Sequence, residues 1–236
     1  PVHTTAPAAR PPTRRPASGP AQRTMQLVGM LDSPYVRRVA VSLLLLRLPF
    51  GHQSLSVFRQ FDAFSRINPL VKAPTLVCDD GTVLMDSSLI LQHAQACAAP
   101  RSLLPADLPA LTRDLRLTGL ALAACEKAVQ IVYERALRPP EKRHQPWVDR
   151  ITGQMLAGFA ALEQALADRP LPTAEADLTQ GTLTAAVVWT FSRDLVADPL
   201  NQQPWPRLDT FTAAAEALPA FRAAPHGDGL VQGAAA

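Results

Sequence analysis

One change of hydrophobic period, near Pro100, narrows the possible folds of this chain more than any other feature. Between Met25 and Ala99 short apolar runs alternate with helical patterns, whereas beyond Pro100 every amphipathic stretch repeats at helical spacing. With 236 residues, 47% of them hydrophobic, the chain is long enough for two modest cores, and the change of period marks where one domain gives way to the next. The expected division is a tail over residues 1–24, an α/β domain over 25–100 and an all-helical domain over 101–236.

Within the first domain, MQLVGM from Met25 reads as a buried strand ended by Leu31-Asp32-Ser33-Pro34. Ser33 is placed to N-cap a helix with Pro34 at its first position. In that helix Val36, Val39, Ala40 and Leu43 form one buried face until Pro49. His52 to Val57 reads as a second strand, followed by an irregular or helical stretch to Asn68-Pro69. Pro74 to Cys78 reads as a third strand, Asp79-Asp80-Gly81-Thr82 as a hairpin turn and Val83 to Met85 as a fourth strand. Asp86-Ser87-Ser88 then opens a helix running to about Ala99. A right-handed crossover makes the first two strands parallel, and the element order is that of a thioredoxin-like fold. In the second domain Leu111 to Leu137, Trp147 to Ala167, Gly181 to Val196 and Leu208 to Leu218 are the expected helices.

The formal net charge is +3, but Arg10, Arg14, Arg15 and Arg23 all fall in the first 24 residues, which hold no acid. Without them 19 basic residues face 20 acidic ones, so the body carries no nucleic-acid footprint. The tail is rich in Pro, Ala and Arg without helical period, and is expected to be disordered, with a natural start at Met25. A transit segment would be Arg-rich too, but amphipathic, which this one is not. The longest apolar run, Val39 to Leu46 broken by Ser42, is too short to span a bilayer, so no membrane partner is expected. Cys78, Cys97 and Cys125 are an odd, scattered set without a CxxC pair, which argues against a disulfide framework, a zinc site or a dithiol centre and fits a cytoplasmic, reducing setting. Cys97 and Cys125 read as core thiols, as do Met85 and Met155 as core side chains.

Ligands in open α/β sheets bind at strand ends, where helix N-termini point. Three segments reach that region: Asp32-Ser33-Pro34, Lys72-Ala73-Pro74 and Asp86-Ser87. A serine hydroxyl at a helix N-terminus suits an anion such as a thiolate, and a helix start at Asp86-Ser87 suits a carboxylate. Each also has a plain structural use, as a helix cap or a strand-opening proline.

Taken together, SPYVRRV, INPLVKAPTL and VLMDSSLILQH resemble the glutathione-site segments of bacterial-type cytosolic glutathione transferases with serine at the catalytic position. The resemblance, with the helical half, extends over nearly everything after Met25. It implies a glutathione transferase that uses glutathione as co-substrate and no metal. Ser33 would donate to the glutathione sulfur. A cis peptide at Ala73-Pro74 would turn the Ala73 backbone toward the cysteinyl unit. Ser87 would hold the γ-glutamyl carboxylate and Asp86 the ammonium group, while Lys72 would pair with the glycyl carboxylate. His52 and Gln53 are weaker candidates for that end, and Tyr35 is a second hydroxyl near the sulfur. The resemblance further implies a small hydrophobic electrophile bound between the domains, against the helix carrying Tyr133, Glu134 and Arg138, a role in detoxification, and a homodimer. Tyr133 and Trp147 read as packing residues, and Ala121, Ala123, Ala124 and Ala128 as a close helix contact. Peroxidase, reductase or isomerase activity, or a non-catalytic interaction module on the same scaffold, are the alternatives.

One departure concerns the second domain. Where relatives carry a Ser/Thr-x-x-Asp capping box, this chain has Thr179-Gln180-Gly181-Thr182, and a neutral Thr182 would leave the helix dipole less well matched, by roughly 1 kcal/mol.

Overall fold

In the computed structural model, residues 24–233 are described, so the expectation of a disordered tail falls outside them. Strand β1 (Met25–Val28) leads to α1 (Pro34–Leu45) and β2 (Phe50–Gln53). After α2 (Phe61–Ser65) come β3 (Thr75–Val77), β4 (Val83–Leu84) and α3 (Ser87–Ala98). The sheet order is β2-β1-β3-β4, with β1 and β2 parallel and the other neighbours antiparallel. This is the thioredoxin-like α/β arrangement expected from the element order. A helical region follows: α4 (Leu108–Ala136), α5 (Gln145–Ala165), α6 (Gln180–Leu195), α7 (Ala197–Leu200), α8 (Pro206–Glu216) and α9 (Pro219–Ala223).

The second strand lies earlier than its sequence suggests, because α1 stops well before Pro49. Arg47 takes the left-handed conformation (φ 56°), and Leu48 N–H reaches back to Leu43 O at 3.0 Å, closing the helix end. The chain is thereby turned so that Phe50, which is buried, pairs with Met25. Past Gln53 the backbone leaves the sheet, and Ser56 Oγ accepts from the N–H groups of Phe58 and Arg59 in a turn.

Helix α1 is buried almost all round and not on one face only. Val36, Val39, Ala40 and Leu43 face the core as expected, but Arg37 and Arg38 are each only 1% exposed. Arg37 joins the sheet domain to the helical region. Its guanidinium pairs with both oxygens of Glu216 at 2.6 Å, its Nε donates to Ala224 O at 2.8 Å, and it lies over the Phe221 ring.

In the helical region α4 and α5 approach closely where the alanines predicted it. Ala121, Ala124 and Ala128 are fully buried, Ala123 is exposed, and a side chain on Gly158 would come within 3.0 Å of Ala124 Cβ. Helix α6 runs through the centre, where Phe159, Trp189 and Trp205 stack edge to face at 4.9–6.3 Å. Its N-terminus corrects the expectation of a poorly matched dipole. Thr179 and Thr182 form a reciprocal capping box, and Asp114 on α4 supplies the missing acid. One Asp114 carboxylate oxygen accepts from Gly181 N–H at 2.9 Å and the other accepts from the Thr179 hydroxyl. Among the described residues no helix is long and apolar enough to cross a membrane.

Candidate functional site

A cleft of about 490 Å³ opens where the tip of α1 and the loops of the sheet domain face α4 and α6. Its sheet-domain wall includes Asp32, Ser33, Tyr35, Phe58, Lys72 and Ala73, and its helical wall Val129, Val132, Tyr133, Phe191 and Leu195. The size and the mixture of apolar walls with a few polar groups suit a small organic ligand.

Ser33 sits at the N-cap of α1, half-buried, and its Oγ accepts from Val36 N–H at 3.4 Å. A hydroxyl accepts and donates at once, so this cap leaves the Ser33 proton free to point into the cleft, at the positive end of a 12-residue helix. Beside it the Asp32 carboxyl is held above its ordinary range by burial, opposed by the Ser33 backbone N–H and by His226 and Arg59.

Lys72 and Ala73 reach the cleft on a loop held from beneath by Asn68. This fully enclosed side chain donates to Thr75 Oγ1 at 2.9 Å and accepts from Leu70 N–H at 3.0 Å, while Thr75 Oγ1 donates to Lys72 O at 2.7 Å. Val71 sits at φ 47°, a costly conformation for a β-branched residue and a sign that the loop is over-determined by its surroundings. The Ala73-Pro74 peptide is cis, as expected. Gly29 (φ 135°) lets Ala73 come close: a side chain there would meet Val36 Cγ2 at 2.6 Å and Ala73 Cβ at 3.1 Å. Pro74 is buried behind Ala73 and does not line the cleft.

Asp86 and Ser87 stand at the tip of α3, also away from the lining residues. Asp86 is exposed and caps the helix by accepting from Ser88 N–H at 2.7 Å. Ser87 is buried, and its Oγ accepts from Arg38 Nη1 at 3.1 Å. Arg38, which sequence reasoning passed over, also donates to Ser88 Oγ at 3.2 Å and so ties α1 to the start of α3. Burial pushes its guanidinium pKa down to about 10, against the opposing pull of Cys125, Asp86 and Tyr35. A buried cation at a helix N-terminus is poorly placed against the dipole unless an anion joins it there.

Several expectations need correction. Tyr133 packs edge-on against Phe58 at 5.7 Å, closing a sheet-domain loop onto α4, but it is also 46% exposed and lines the cleft. Glu134 and Arg138 pair with each other at 2.8 Å and do not line the cleft, and Trp147 is 39% exposed. Cys97 is exposed on α3, whereas Cys125 is fully buried and its thiol is pushed up to about 12 by burial. Tyr35 lines the cleft, but its hydroxyl is turned toward Cys125, and burial first and Cys125 next raise its pKa. Met155 is core, and Met85 is half-buried with its sulfur accepting from Asn68.

His52 and Gln53 do not reach the cleft. His52 Nε2 donates to Gly29 O at 2.8 Å, which either protonation state allows, and Nδ1 accepts from Val231 N–H at 3.1 Å, which requires the neutral ring. Burial lowers its pKa below the ordinary value of 6.5. The unfolded chain therefore takes up a proton on His52 at a pH where the native protein does not, and stability falls as pH drops below about 6.5. Denaturation midpoints at pH 7.5 and 5.5 should differ less in His52→Gln than in the wild type. Equal differences would show that His52 does not titrate across folding.

A thioredoxin-like sheet domain, a helical region after it and a cleft at their junction together define the fold of the cytosolic glutathione transferases. Residues 27–102 match the family profile described as "Glutathione S-transferase, N-terminal domain". The chain is 26% identical over 163 residues (69% of it and 80% of the relative) to an uncharacterized GST-like protein, YibF, of Escherichia coli K12. Among solved structures it is similar to a glutathione transferase family member from Pseudomonas fluorescens Pf-5 with bound glutathione, at 29% identity and TM-score 0.73, covering 86% of this chain and 100% of that one. A glutathione S-transferase from Methylobacterium radiotolerans in complex with glutathione sulfonate is 26% identical with TM-score 0.73, covering 84% and 93%. Residues 27–102 thus match a glutathione S-transferase N-terminal domain, within a chain whose fold is that of solved glutathione transferases.

Proposed function

We propose that this protein is a glutathione transferase with domains at residues 25–100 and 101–236, in which Ser33 activates the glutathione thiol for attack on a small hydrophobic electrophile. The observation that carries the reading is the Ser33 hydroxyl at the positive tip of α1, facing a cleft whose other wall is apolar. Glutathione supplies the thiol nucleophile. Ser33 donates a hydrogen bond to the sulfur and favours the thiolate, helped by the helix end. Ala73 offers backbone groups ahead of Pro74 to the cysteinyl unit, and Lys72 pairs with the glycyl carboxylate. Asp86 and Ser87 receive the γ-glutamyl end, and Arg38, against Ser87, adds the cation that a carboxylate there would satisfy. Val129, Val132, Tyr133, Phe191 and Leu195 hold the electrophile and keep water from it. A cytoplasmic homodimer serving detoxification completes the proposal, and sedimentation giving only monomer at micromolar concentration would remove the dimer from it.

Conjugation rates with aryl halides, measured beside peroxide and disulfide substrates, test the reading. Ser33→Ala should lower kcat/KM by about a hundredfold while retaining binding to immobilised glutathione. Wild-type protein that fails to bind glutathione, or a variant with undiminished turnover, would overturn it.

A further inference from the structure

Cys78, His93 and Cys97 meet where α3 passes the end of β3, none of them lines the cleft, and nothing in the proposed reaction uses them. His93 and Cys97 are one turn apart on α3, and Cys97 Sγ lies 3.4 Å from His93 Nε2. Cys78, just past the end of β3, brings its Sγ to 3.8 Å from the same nitrogen. The three groups are unlike in access: Cys97 is exposed, His93 is half-buried and Cys78 is 6% exposed.

We propose that Cys97 is an oxidation site, an exposed thiol deprotonated by His93 and resolved by Cys78 into a Cys78–Cys97 disulfide that fastens the last turn of α3 to the sheet. The division of labour follows from the surroundings. Desolvation raises the Cys78 pKa, and the Asp80 and Asp79 carboxylates and Cys97 raise it further, so Cys78 stays a thiol and Cys97 meets the oxidant first. The His93 ring nitrogen, 3.4 Å from Cys97 Sγ, is placed to take the thiol proton. Asp80, in the adjoining turn, interacts favourably with His93 and supports the imidazolium that results. An exposed side chain in the last turn of a helix also moves at low cost, as closure onto Cys78 requires.

The oxidant class is a hydroperoxide, and hydrogen peroxide is the simplest. Cys97 gives its proton to His93 Nε2, and its sulfur attacks one peroxide oxygen, forming an S–O bond as the O–O bond breaks. The departing hydroxide takes the proton back from His93 and leaves as water. Cys78, losing its proton through the same nitrogen, then attacks the Cys97 sulfur. The S–S bond forms, the S–O bond breaks, and hydroxide leaves with that proton as a second water. Two thiols lose two electrons in all, and one peroxide gains them.

The test is oxidation of the reduced full chain with hydrogen peroxide at neutral pH, followed by thiol blocking and peptide mass spectrometry. The expected product is an intramolecular Cys78–Cys97 link with Cys125 still free. Cys78→Ser should stop at a Cys97 sulfenic acid, trapped by a carbon nucleophile selective for it. His93→Gln should slow loss of the Cys97 thiol at least about tenfold and move its pH profile toward that of an unassisted thiol. A Cys97 that reacts no faster in the wild type than in His93→Gln would overturn the proposal. So would links only between separate chains, or no link at all.

Discussion

Replacing Asp114 by alanine should destabilise the protein by roughly 2–4 kcal/mol, more than an ordinary helix cap contributes. Asp114 is 1% exposed, and its carboxylate serves Gly181 N–H and the Thr179 hydroxyl at the start of α6. With alanine there, a buried amide at the helix tip loses a charge-assisted bond, worth about 1.5–3 kcal/mol, and the dipole loses its counter-charge, about 0.3–1 kcal/mol more. Helix α6 is buried along nearly its whole length, so water cannot replace either. Asp114→Asn keeps an acceptor but no charge and should cost about half as much. The Gly181→Ala change tests the same contact from the other side, since its added carbon would lie 2.6 Å from Asp114 O and push the two helices apart. Chemical denaturation followed by fluorescence of the buried Trp189 and Trp205 gives the midpoints. A loss below about 0.5 kcal/mol for Asp114→Ala would mean that the threonine box alone caps α6.

That contact shows where reading the sequence succeeded and where it stopped. The change of period near Pro100, the Ser33-Pro34 helix start, the Asp79-Asp80-Gly81-Thr82 turn and the helices beyond were legible because each is encoded within a few residues. Thr179 and Thr182 were recognised as an incomplete cap, but the acid that completes it stands 65 residues earlier on another helix. The same limit hid Arg38, whose partners Ser87 and Ser88 lie on α3, and Asn68, which makes sense only once the loop above it is folded. Cys97 reads as a core thiol by residue type, yet the structure exposes it, since a helix position says nothing about which neighbour covers it. A signal for Arg37 and Arg38 was nonetheless present. The run from Val36 to Leu46 is apolar on every side of the helix, which marks it as buried all round, so any arginine within it must find partners elsewhere in the chain.

Arg37 should prove the strongest single link between the two halves of the molecule, with Arg37→Met costing about 3–5 kcal/mol. The guanidinium is enclosed and satisfied on three sides: bidentate to Glu216, through Nε to Ala224 O, and over the Phe221 ring. Removing it leaves Glu216, 29% exposed and braced by the Thr190 hydroxyl at 2.6 Å, with its cation gone, and leaves the Ala224 carbonyl without its donor. Arg37→Lys keeps the charge but loses the fork, and should recover less than half of the loss. A double-mutant cycle with Glu216→Gln separates this from simple loss of packing, and a coupling of about 2 kcal/mol or more is expected. The consequence should reach the cleft, because Arg37 N–H bonds to Ser33 O at 2.9 Å and the same turn of α1 carries the Ser33 cap. With α1 no longer anchored to α8 and α9, its tip and the α4 wall lose their common reference. KM for the electrophile should rise in Arg37→Met even under conditions where the protein remains folded. If stability falls but KM is unmoved, Arg37 fastens the halves without setting the cleft between them; if neither changes, the ion pair contributes nothing that packing does not already supply.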